Sequence, residues 1–298
     1  MRRLVSLFLT LLFLAAAPAN VASAEAISFL GEGDEKPPLF TGSPSEEWVY
    51  EPLEVHFIDV GRADSILLRS GEYTLLLDSG VPASARQIVA YLSSIGVTRL
   101  TYAFGSHPHD DHIGGFPEVF EEIPVGTYLQ PALFDGETNA YVKRLDAALA
   151  RHQIPVQTVA DGTVMAFGSS TLRFFQWQKE SARINNRSML LRAQCGDRSV
   201  LFAADIEEHA QRALAAQYGA LLKADILKFP HHGLAAYMEV FHKAVQPAFC
   251  VISNAERRIE KTIRILKRKS IPWLLTTAGS VVAVTDGGRW QVWQMPNL

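Results

Sequence analysis

The feature that most constrains the fold is a run of eleven residues, Gly105–Gly115, with the sequence GSHPHDDHIGG. Three of the nine histidines in the chain and two aspartates stand in six consecutive positions of this run. It follows a short apolar segment, Leu100–Phe104, which is typical of a buried strand. His107 and His109 stand two apart, so both imidazoles point to the same side of an extended segment. Because imidazole and carboxylate suit Zn²⁺ and similar ions, the run predicts a metal site at the end of a strand.

The pattern around the cluster alternates apolar strands with helices and predicts the α/β class. Strand-like runs lie at 53–60, 64–70, 73–80, 100–104, 172–177, 188–195, 199–205, 225–229 and 248–253, and short strands flank a turn at 286–287. Helical spacing appears at 84–95, 137–152, 206–218, 234–244 and 257–269. Two strand-rich blocks, each with helices alongside, predict one α/β sandwich rather than two independent domains.

The first residues have the composition of a secretory signal peptide. Arg2 and Arg3 precede an apolar run, Leu4–Ala17, that is too short to span a bilayer. An A-x-A site ends at Ala24, so we expect cleavage there, with an uncleaved membrane anchor as the alternative. Residues 25–47 are rich in Gly, Pro, Ser and acid and are predicted to form a flexible leader. Cleavage would leave no stable membrane anchor and predicts a secreted or periplasmic protein.

The charge of the chain limits what it binds through electrostatics alone. Removing residues 1–24 takes away two arginines and no acid, which moves the formal net charge from −3 to −5. A mildly acidic protein has no general attraction for nucleic acid, although a local basic patch can still bind it. A basic stripe in the helix at 257–269 is either a solvated face or a binding surface for phosphates; it consists of Arg257, Lys261, Arg264 and Arg268, opposite apolar Ile259, Ile263 and Leu266.

Two later strand ends carry the same kinds of side chain as the first cluster. SVLFAAD ends in Asp205, and DILKFPHHG ends in His231 and His232. Asp205 alone could equally be the N-cap of the helix that follows it. Taken together, three strand ends that offer carboxylate or imidazole predict a metal site between two sheets. The two cysteines, Cys195 and Cys250, leave a disulfide and two free thiols equally open.

The motifs carry a resemblance to a known family. HPHDDHIGG resembles the H-x-H-x-D-H signature of the metallo-β-lactamase superfamily. FIDVGRADSILLRS, LLLDSG, NNRSMLLR, LFAAD and LKFPHHG, in that order over residues 53–253, are similar to the hydrolase domain of ComEC-type DNA-uptake proteins and their secreted stand-alone relatives. The resemblance implies an αββα sandwich, formed as a single domain by residues 48–298, with metals at the edge between the sheets.

The same resemblance implies a set of ligands for two divalent ions, with zinc expected and manganese as the alternative. Asp205 would bridge the two ions, and one of His231 and His232 would complete the second site, although the sequence does not distinguish between them. The candidate ligands are therefore His107, His109, Asp111, His112, Asp205, His231 and His232.

The chain departs from the superfamily pattern in three places, the first being Arg62 and Ala63, which replace the usual glutamine and glycine of the first motif. Many members supply a further histidine before the later aspartate, but none stands between His152 and Asp205 here. Asn185 occupies that place, as in the ComEC-type pattern, which implies a weak ligand or substrate contact and one metal held less tightly. The histidine segment expected after the last core strand is also absent, so the resemblance ends near Ser253.

The expected chemistry is hydrolysis by a hydroxide that bridges two metals. Asp111, Asn185 and His232 are the candidate catalytic residues, and whichever of His231 and His232 is not a ligand would stabilise charge or protonate the leaving group. The predicted substrate is a phosphodiester, either nucleic acid or a phosphorylated wall component. Two alternatives stay open: hydrolysis of a lactam, lactone or thioester by the same fold, and a non-catalytic metal-binding module.

Overall fold

The computed structural model describes residues 40–41, 51–134, 139–178 and 183–295. The predicted signal peptide lies outside these residues. Of the predicted leader, only Phe40–Thr41 is described, as a two-residue strand. Both therefore stay predictions. Among the described residues, every helix is too short or too polar to span a bilayer.

Two sheets form the centre of the fold. The first has the strand order β1-β16-β15-β2-β3-β4-β5-β6-β7, and the second has the order β14-β13-β12-β11-β10-β9-β8. The strands of the first sheet are β1 (Phe40–Thr41), β2 (Leu53–Phe57), β3 (Ile66–Ser70), β4 (Tyr73–Leu77), β5 (Leu100–Phe104), β6 (Val125–Pro131), β7 (Val156–Val159), β15 (Val281–Thr285) and β16 (Trp290–Gln294). Those of the second are β8 (Val164–Phe167), β9 (Ser170–Gln176), β10 (Met189–Cys195), β11 (Arg198–Phe202), β12 (Ile226–Lys228), β13 (Phe249–Ile252) and β14 (Trp273–Leu275).

Alternation along the strands builds a core on each side of both sheets. Leu75 and Leu77 of β4 face the layer between the sheets, whereas Leu76 faces the outer side of the first sheet. In β10, Leu191 faces the inner layer and Leu190 the outer side of the second sheet. Successive strand side chains point to opposite faces, so runs of consecutive leucines mark strands that are buried on both faces.

The helices cover the two outer faces. They are α1 (Ala85–Ser94), α2 (Asp110–Ile113), α3 (Phe116–Glu122), α4 (Ala140–Arg151), α5 (Glu208–Tyr218), α6 (Glu239–Val245) and α7 (Glu260–Arg268). α1, α3 and α4 pack on the first sheet, and α5, α6 and α7 pack on the second. The predicted αββα sandwich is confirmed.

Parallel strands deliver the polar residues to one edge of the sandwich. In the first sheet β4 and β5 are parallel, and they are followed by Asp78 and by His107. In the second sheet β11, β12 and β13 are parallel, and they are followed by Asp205, the pair at 231–232 and Ser253. Carboxyl ends of parallel strands lie at the same edge of a sheet, which explains why residues far apart in sequence meet there.

Some sequence predictions were wrong in detail. The helix predicted at 234–244 begins only at Glu239, because Pro230–Gly233 forms a tight 3₁₀ turn and an irregular loop follows it. The helix predicted at 206–218 begins at Glu208 with Glu207 at its N-cap, so Asp205 does not cap it. Strands β6, β7, β8 and β14 were not predicted. Cys195 and Cys250 are both buried free thiols.

Candidate metal centre

Five of the predicted ligands fall into two groups that share one carboxylate, together with Asp64, which was not predicted from the sequence. Ligand atoms of Asp64, His112, Asp205 and His232 all lie within 4.8 Å of one another. Ligand atoms of His107, His109 and Asp205 do the same. Asp205 is therefore placed between two clusters, as a bridging ligand would be.

The two oxygens of Asp205 face different partners. Oδ1 lies 3.3 Å from His112 Nε2 and 3.5 Å from His232 Nε2. Oδ2 lies 3.9 Å from His107 Nε2, which is itself 3.1 Å from His109 Nδ1. Each oxygen thus belongs to one of the two groups.

The buried polar atoms at the centre fit a metal ion. His112 Nε2, His232 Nε2 and Asp205 Oδ1 are buried and make no hydrogen bond. A buried polar atom without a partner is costly, and such atoms are rare in folded proteins. Three of them converge here, and their types are the nitrogen and oxygen donors that divalent first-row metals take. A cation bound between them would satisfy all three.

Asp111 lies at the rim of the same group. It stands in the first turn of α2, next to His112. Its Oδ2 is 3.4 Å from His232 Nε2 and its Oδ1 is 3.9 Å from His112 Nε2. Although partial burial acts to raise the pKa of Asp111, the neighbouring His232 and His112 hold that pKa below its usual range. Asp111 is thus an ionised carboxylate directed at the group.

The adjacent histidines at the end of β12 are placed differently. Both have left-handed backbone angles, with φ of 49° at His231 and 50° at His232. His232 is buried, whereas the His231 side chain is 26% exposed. Nε2 of His231 lies 3.7 Å from Asp205 Oδ2, and among the described residues His231 belongs to neither ligand group.

Asn185 reaches the site through Glu207. It stands in a 3₁₀ turn before β10, and its Nδ2 donates to Glu207 Oε1 over 3.2 Å. That Glu207 oxygen lies 3.9 Å from His231 Nδ1. Asn185 Oδ1 is buried and makes no hydrogen bond. Glu207 thus lies between Asn185 and His231. Glu207 was not predicted as a site residue from the sequence.

Asp78 orients His112. Its Oδ2 lies 2.7 Å from His112 Nδ1, and Ser106 donates to both of its oxygens, from the backbone N over 2.7 Å and from Oγ over 2.8 Å. A carboxylate on the far nitrogen fixes the ring and directs Nε2 inwards. This role of Asp78 was not predicted from the sequence, although Asp78 stands in the run LLLDSG directly after a strand.

A second polar network lies behind His232. Its Nδ1 is 2.9 Å from Ser253 Oγ, which donates to Asp64 Oδ1 over 2.6 Å. Asp64 is also ion-paired with Lys228, and both side chains are almost completely buried. Asn254 Nδ2 donates to the His232 carbonyl over 3.0 Å. The site thus extends beyond Ser253, where the resemblance in sequence ended.

The electrostatics of the metal-free centre follow from these contacts. Burial alone would lower the pKa of His232, but the carboxylates of Asp205 and Asp64 raise it to about 10. Burial also acts to lower the pKa of His112, but the carboxylates of Asp205 and Asp78 raise that pKa well above its usual value. His107 lacks so close a carboxylate, and burial keeps its pKa well below the usual value. Binding a metal through His112 and His232 would therefore release a proton from each of these two imidazoles.

Comparison with known proteins agrees with this geometry. The family model described as "Metallo-beta-lactamase superfamily" matches residues 58–236. Competence protein ComA of Neisseria gonorrhoeae is 30% identical over 199 residues, which cover 66% of this chain and 26% of that protein. ComE operon protein 3 of Bacillus subtilis is 23% identical over 256 residues, covering 77% of this chain and 32% of that protein. This chain therefore spans only about a quarter to a third of the length of these curated relatives.

A solved structure shows the same fold. The metallo-beta-lactamase fold protein YhfI of Bacillus subtilis aligns over 76% of this chain and 96% of its own, with a TM-score of 0.50 and 14% sequence identity. At that identity the likeness concerns the fold alone.

Proposed function

This chain belongs to the metallo-beta-lactamase superfamily, and we propose that, as a metal-dependent hydrolase of that superfamily, it cleaves phosphodiesters at a two-metal centre. The observation that carries the proposal is the position of Asp205, shared by two groups of buried ligand atoms. Two divalent ions, when bound, supply Lewis acidity and an activated water, which suits displacement at phosphorus. Zinc is the ion we propose, because histidine and aspartate dominate both groups, and manganese is the alternative.

His232 rather than His231 is the ligand we propose for the group that contains His112. Ser253 accounts for Nδ1 of His232, so Nε2 is the nitrogen left to face Asp205 and Asp111. Asp111 would join this group from the rim and orient the attacking water. His107 and His109 would hold the other ion together with Asp205.

His231 then becomes the group that meets the substrate. It is partly exposed, lies on the Oδ2 side of Asp205 and has Glu207 near its second nitrogen. From this position an imidazole can stabilise charge on the leaving oxygen or give it a proton. We propose Asn185 as a substrate contact or weak ligand beside it, since its Oδ1 has no hydrogen-bond partner.

The choice of a phosphodiester rests on the relatives and on local charge. One curated relative is named a competence protein and the other a ComE operon protein, and together with the resemblance to ComEC-type DNA-uptake proteins this supports nucleic acid as the polymer. Arg257, Lys261, Arg264 and Arg268 are all exposed. This basic stripe begins next to the candidate metal centre. Ile259, two residues after Arg257, packs on Gly233, and Gly233 directly follows His232. A phosphate chain lying along them would gain attraction that an acidic protein as a whole does not offer.

One panel assay tests the proposed activity. Zinc- or manganese-loaded protein is given a phosphodiester, a phosphomonoester, a lactam, a lactone and a thioester. We expect turnover of the phosphodiester and none by the His107→Ala variant. Opening of a lactam, lactone or thioester alone would overturn the substrate assignment, and bound metal without any turnover would indicate a binding module.

We also propose that the protein is exported after cleavage behind Ala24. The support is the composition of residues 1–24, with two arginines, a short apolar run and an A-x-A site. Mass spectrometry of the native protein should find Glu25 at the N-terminus. An intact Met1 on a cytosolic form would contradict export.

A further inference from the structure

Lys228 occupies a position that the strand pattern assigns to an apolar residue. In β12, Ile226 faces the layer between the sheets and Leu227 faces the outer side of the second sheet. Lys228 therefore points into the layer between the sheets, and its side chain is only 1% exposed. A buried ammonium group is costly unless it is paired, so its partner is expected to explain its presence. That partner is Asp64.

Asp64 is close enough to the candidate ligands to bind a metal together with them. Its carboxylate lies within 4.8 Å of the ligand atoms of His112, Asp205 and His232. Proximity alone would make it a third carboxylate ligand, besides Asp205 and Asp111.

Both oxygens of Asp64 are already occupied, unlike the other atoms of this group. Oδ2 is paired with Lys228, and Oδ1 accepts from Ser253 Oγ over 2.6 Å. The backbone is fixed as well, because Asp64 N donates to Asp111 O over 3.1 Å. By contrast, the inward-facing atoms of His112, His232 and Asp205 have no hydrogen bond. The group thus separates into atoms left for a metal and one carboxylate held back from it.

The direction of the hydrogen bonds identifies the tautomer of His232. A serine hydroxyl has a single hydrogen, and that of Ser253 is donated to Asp64. Ser253 Oγ can then only accept from His232 Nδ1, over 2.9 Å. The proton of a neutral His232 is therefore on Nδ1, and the lone pair is on Nε2, which faces Asp205.

From these contacts we propose that Lys228 is a positioning residue for the metal centre. It holds Asp64 as the acceptor for Ser253 and beside His232, whose Nδ1 lies 3.3 Å from Asp64 Oδ1, and it keeps Asp64 out of the coordination sphere. The inference rests on the proposed metal centre but does not depend on which bond the enzyme cleaves. Lys228, Asp64 and Ser253 act through His232, and the side chains of all three are buried.

Metal binding measured without any substrate tests the proposal. The double variant Asp64→Leu/Lys228→Met replaces the ion pair by apolar side chains of similar size, which often preserves folding. We expect it to fold and to bind zinc at the His232 group about 10- to 100-fold more weakly, as loss of an outer partner of a ligand histidine commonly does. Asp64→Asn/Lys228→Met keeps an acceptor for Ser253 and should recover part of that loss. Zinc affinity is followed by competition with a chelator, and folding by thermal unfolding.

The single variant Lys228→Met tests whether lysine withholds Asp64 from the metal. It frees one oxygen of a carboxylate beside the ligands, so the absorption spectrum of the cobalt-loaded protein should change to that of a higher coordination number. Thr262→Val is the matched control, because Thr262 is a buried hydroxyl that donates to Gly233 O over 2.7 Å and is in neither ligand group. It should leave both zinc affinity and the cobalt spectrum unchanged.

Two results would overturn the proposal. Wild-type zinc affinity and cobalt spectrum in a folded Asp64→Leu/Lys228→Met variant would make the ion pair purely structural. Complete loss of one metal equivalent in Asp64→Asn/Lys228→Met would make Asp64 itself a ligand. Failure of the proposed phosphodiesterase activity would leave both measurements intact, since neither uses a substrate.

Discussion

At the scale of single residues, Asp205 has the largest expected effect on metal content. It is the one residue that belongs to both ligand groups among the described residues, whereas His109 belongs to one. We expect Asp205→Ala to lower the metal bound at both positions and His109→Ala to lower it at one. Elemental analysis of the dialysed protein measures this. Asp110→Ala, in the same motif but in neither group, is the control, and full metal content in both test variants would contradict the assignment.

His242 gives a prediction on acid stability that is independent of metal. It is 4% exposed, stacks on Tyr237 with ring centroids 3.8 Å apart, and burial lowers its pKa to about 4. Because the unfolded state binds a proton near pH 6.5 and the folded state does not, stability falls as pH drops from about 6.5 to 4. This residue should contribute about 2 kcal/mol of the stability lost between pH 7 and pH 5.

Replacing this imidazole tests the sign and the size of the effect. Chelator-treated His242→Phe should lose less stability between pH 7 and pH 5 than wild-type protein, measured by urea unfolding. His209→Gln, at an exposed position of α5, should keep the wild-type pH dependence. An equal loss of stability in His242→Phe and wild type would show that His242 is protonated in the folded state.

The residues that sequence analysis found and missed differ in a physical way. His107, Asp205 and the pair His231 and His232 directly follow apolar strands in distinctive local patterns, so each strand end was predicted from its own residues. Asp64 and Lys228 are 164 residues apart in the sequence. The residues around each of them give no indication that the two form an ion pair. The choice between His231 and His232 required the backbone angles. The directions of two adjacent side chains depend on these angles, which the sequence does not give.

At the scale of elements, strands were predicted better than the turns that carry the chemistry. Leu100–Phe104 was predicted with its exact bounds, since an apolar run bounded by polar residues has few alternatives. The helix predicted at 234–244 begins only at Glu239, because residues 234–238, which follow the left-handed angles at His231 and His232, form a turn and an irregular loop. Strand β7 has three exposed residues out of four, so its sequence lacks the apolar signal of a buried strand.

The basic face of α7 gives the prediction that belongs to this scale. Ile263 and Leu266 are buried while Arg264 and Arg268 are exposed, so the helix is amphipathic as predicted. We expect Arg264→Glu/Arg268→Glu to slow cleavage of a polynucleotide at low salt. The defect should shrink as salt rises, because contacts between exposed charges and phosphates are screened.

A control of equal charge separates local from general attraction. Arg86→Glu/Lys143→Glu makes the same change in net charge in the opposite helical layer, on exposed positions of α1 and α4. It should slow cleavage less than the variant on α7 does. Equal rates for wild type and the α7 variant at low salt would make this face an ordinary solvated surface.

At the scale of the whole molecule, the metal centre joins the two halves of the sandwich. His107, His109 and His112 follow a strand of the first sheet, whereas Asp205 and His232 follow strands of the second. Ligands that meet only in the folded chain make metal binding part of the folding free energy. Metal bound as proposed would thus link the two sheets.

Removing the metal should therefore lower the unfolding temperature of the entire domain. At a free metal concentration about 1000-fold above its dissociation constant, binding contributes about 4 kcal/mol. For a chain of this size each kcal/mol corresponds to roughly 2–4 °C, so we expect chelation to lower Tm by roughly 10 °C. Calorimetry with and without chelator measures this, and readdition of zinc should restore Tm. The Asp205→Ala variant should show little response to chelator, because it has lost the carboxylate common to both groups, whereas Asp110→Ala should respond as wild type does. If the Tm of the wild-type protein were the same with and without metal, the ions would not connect the two sheets.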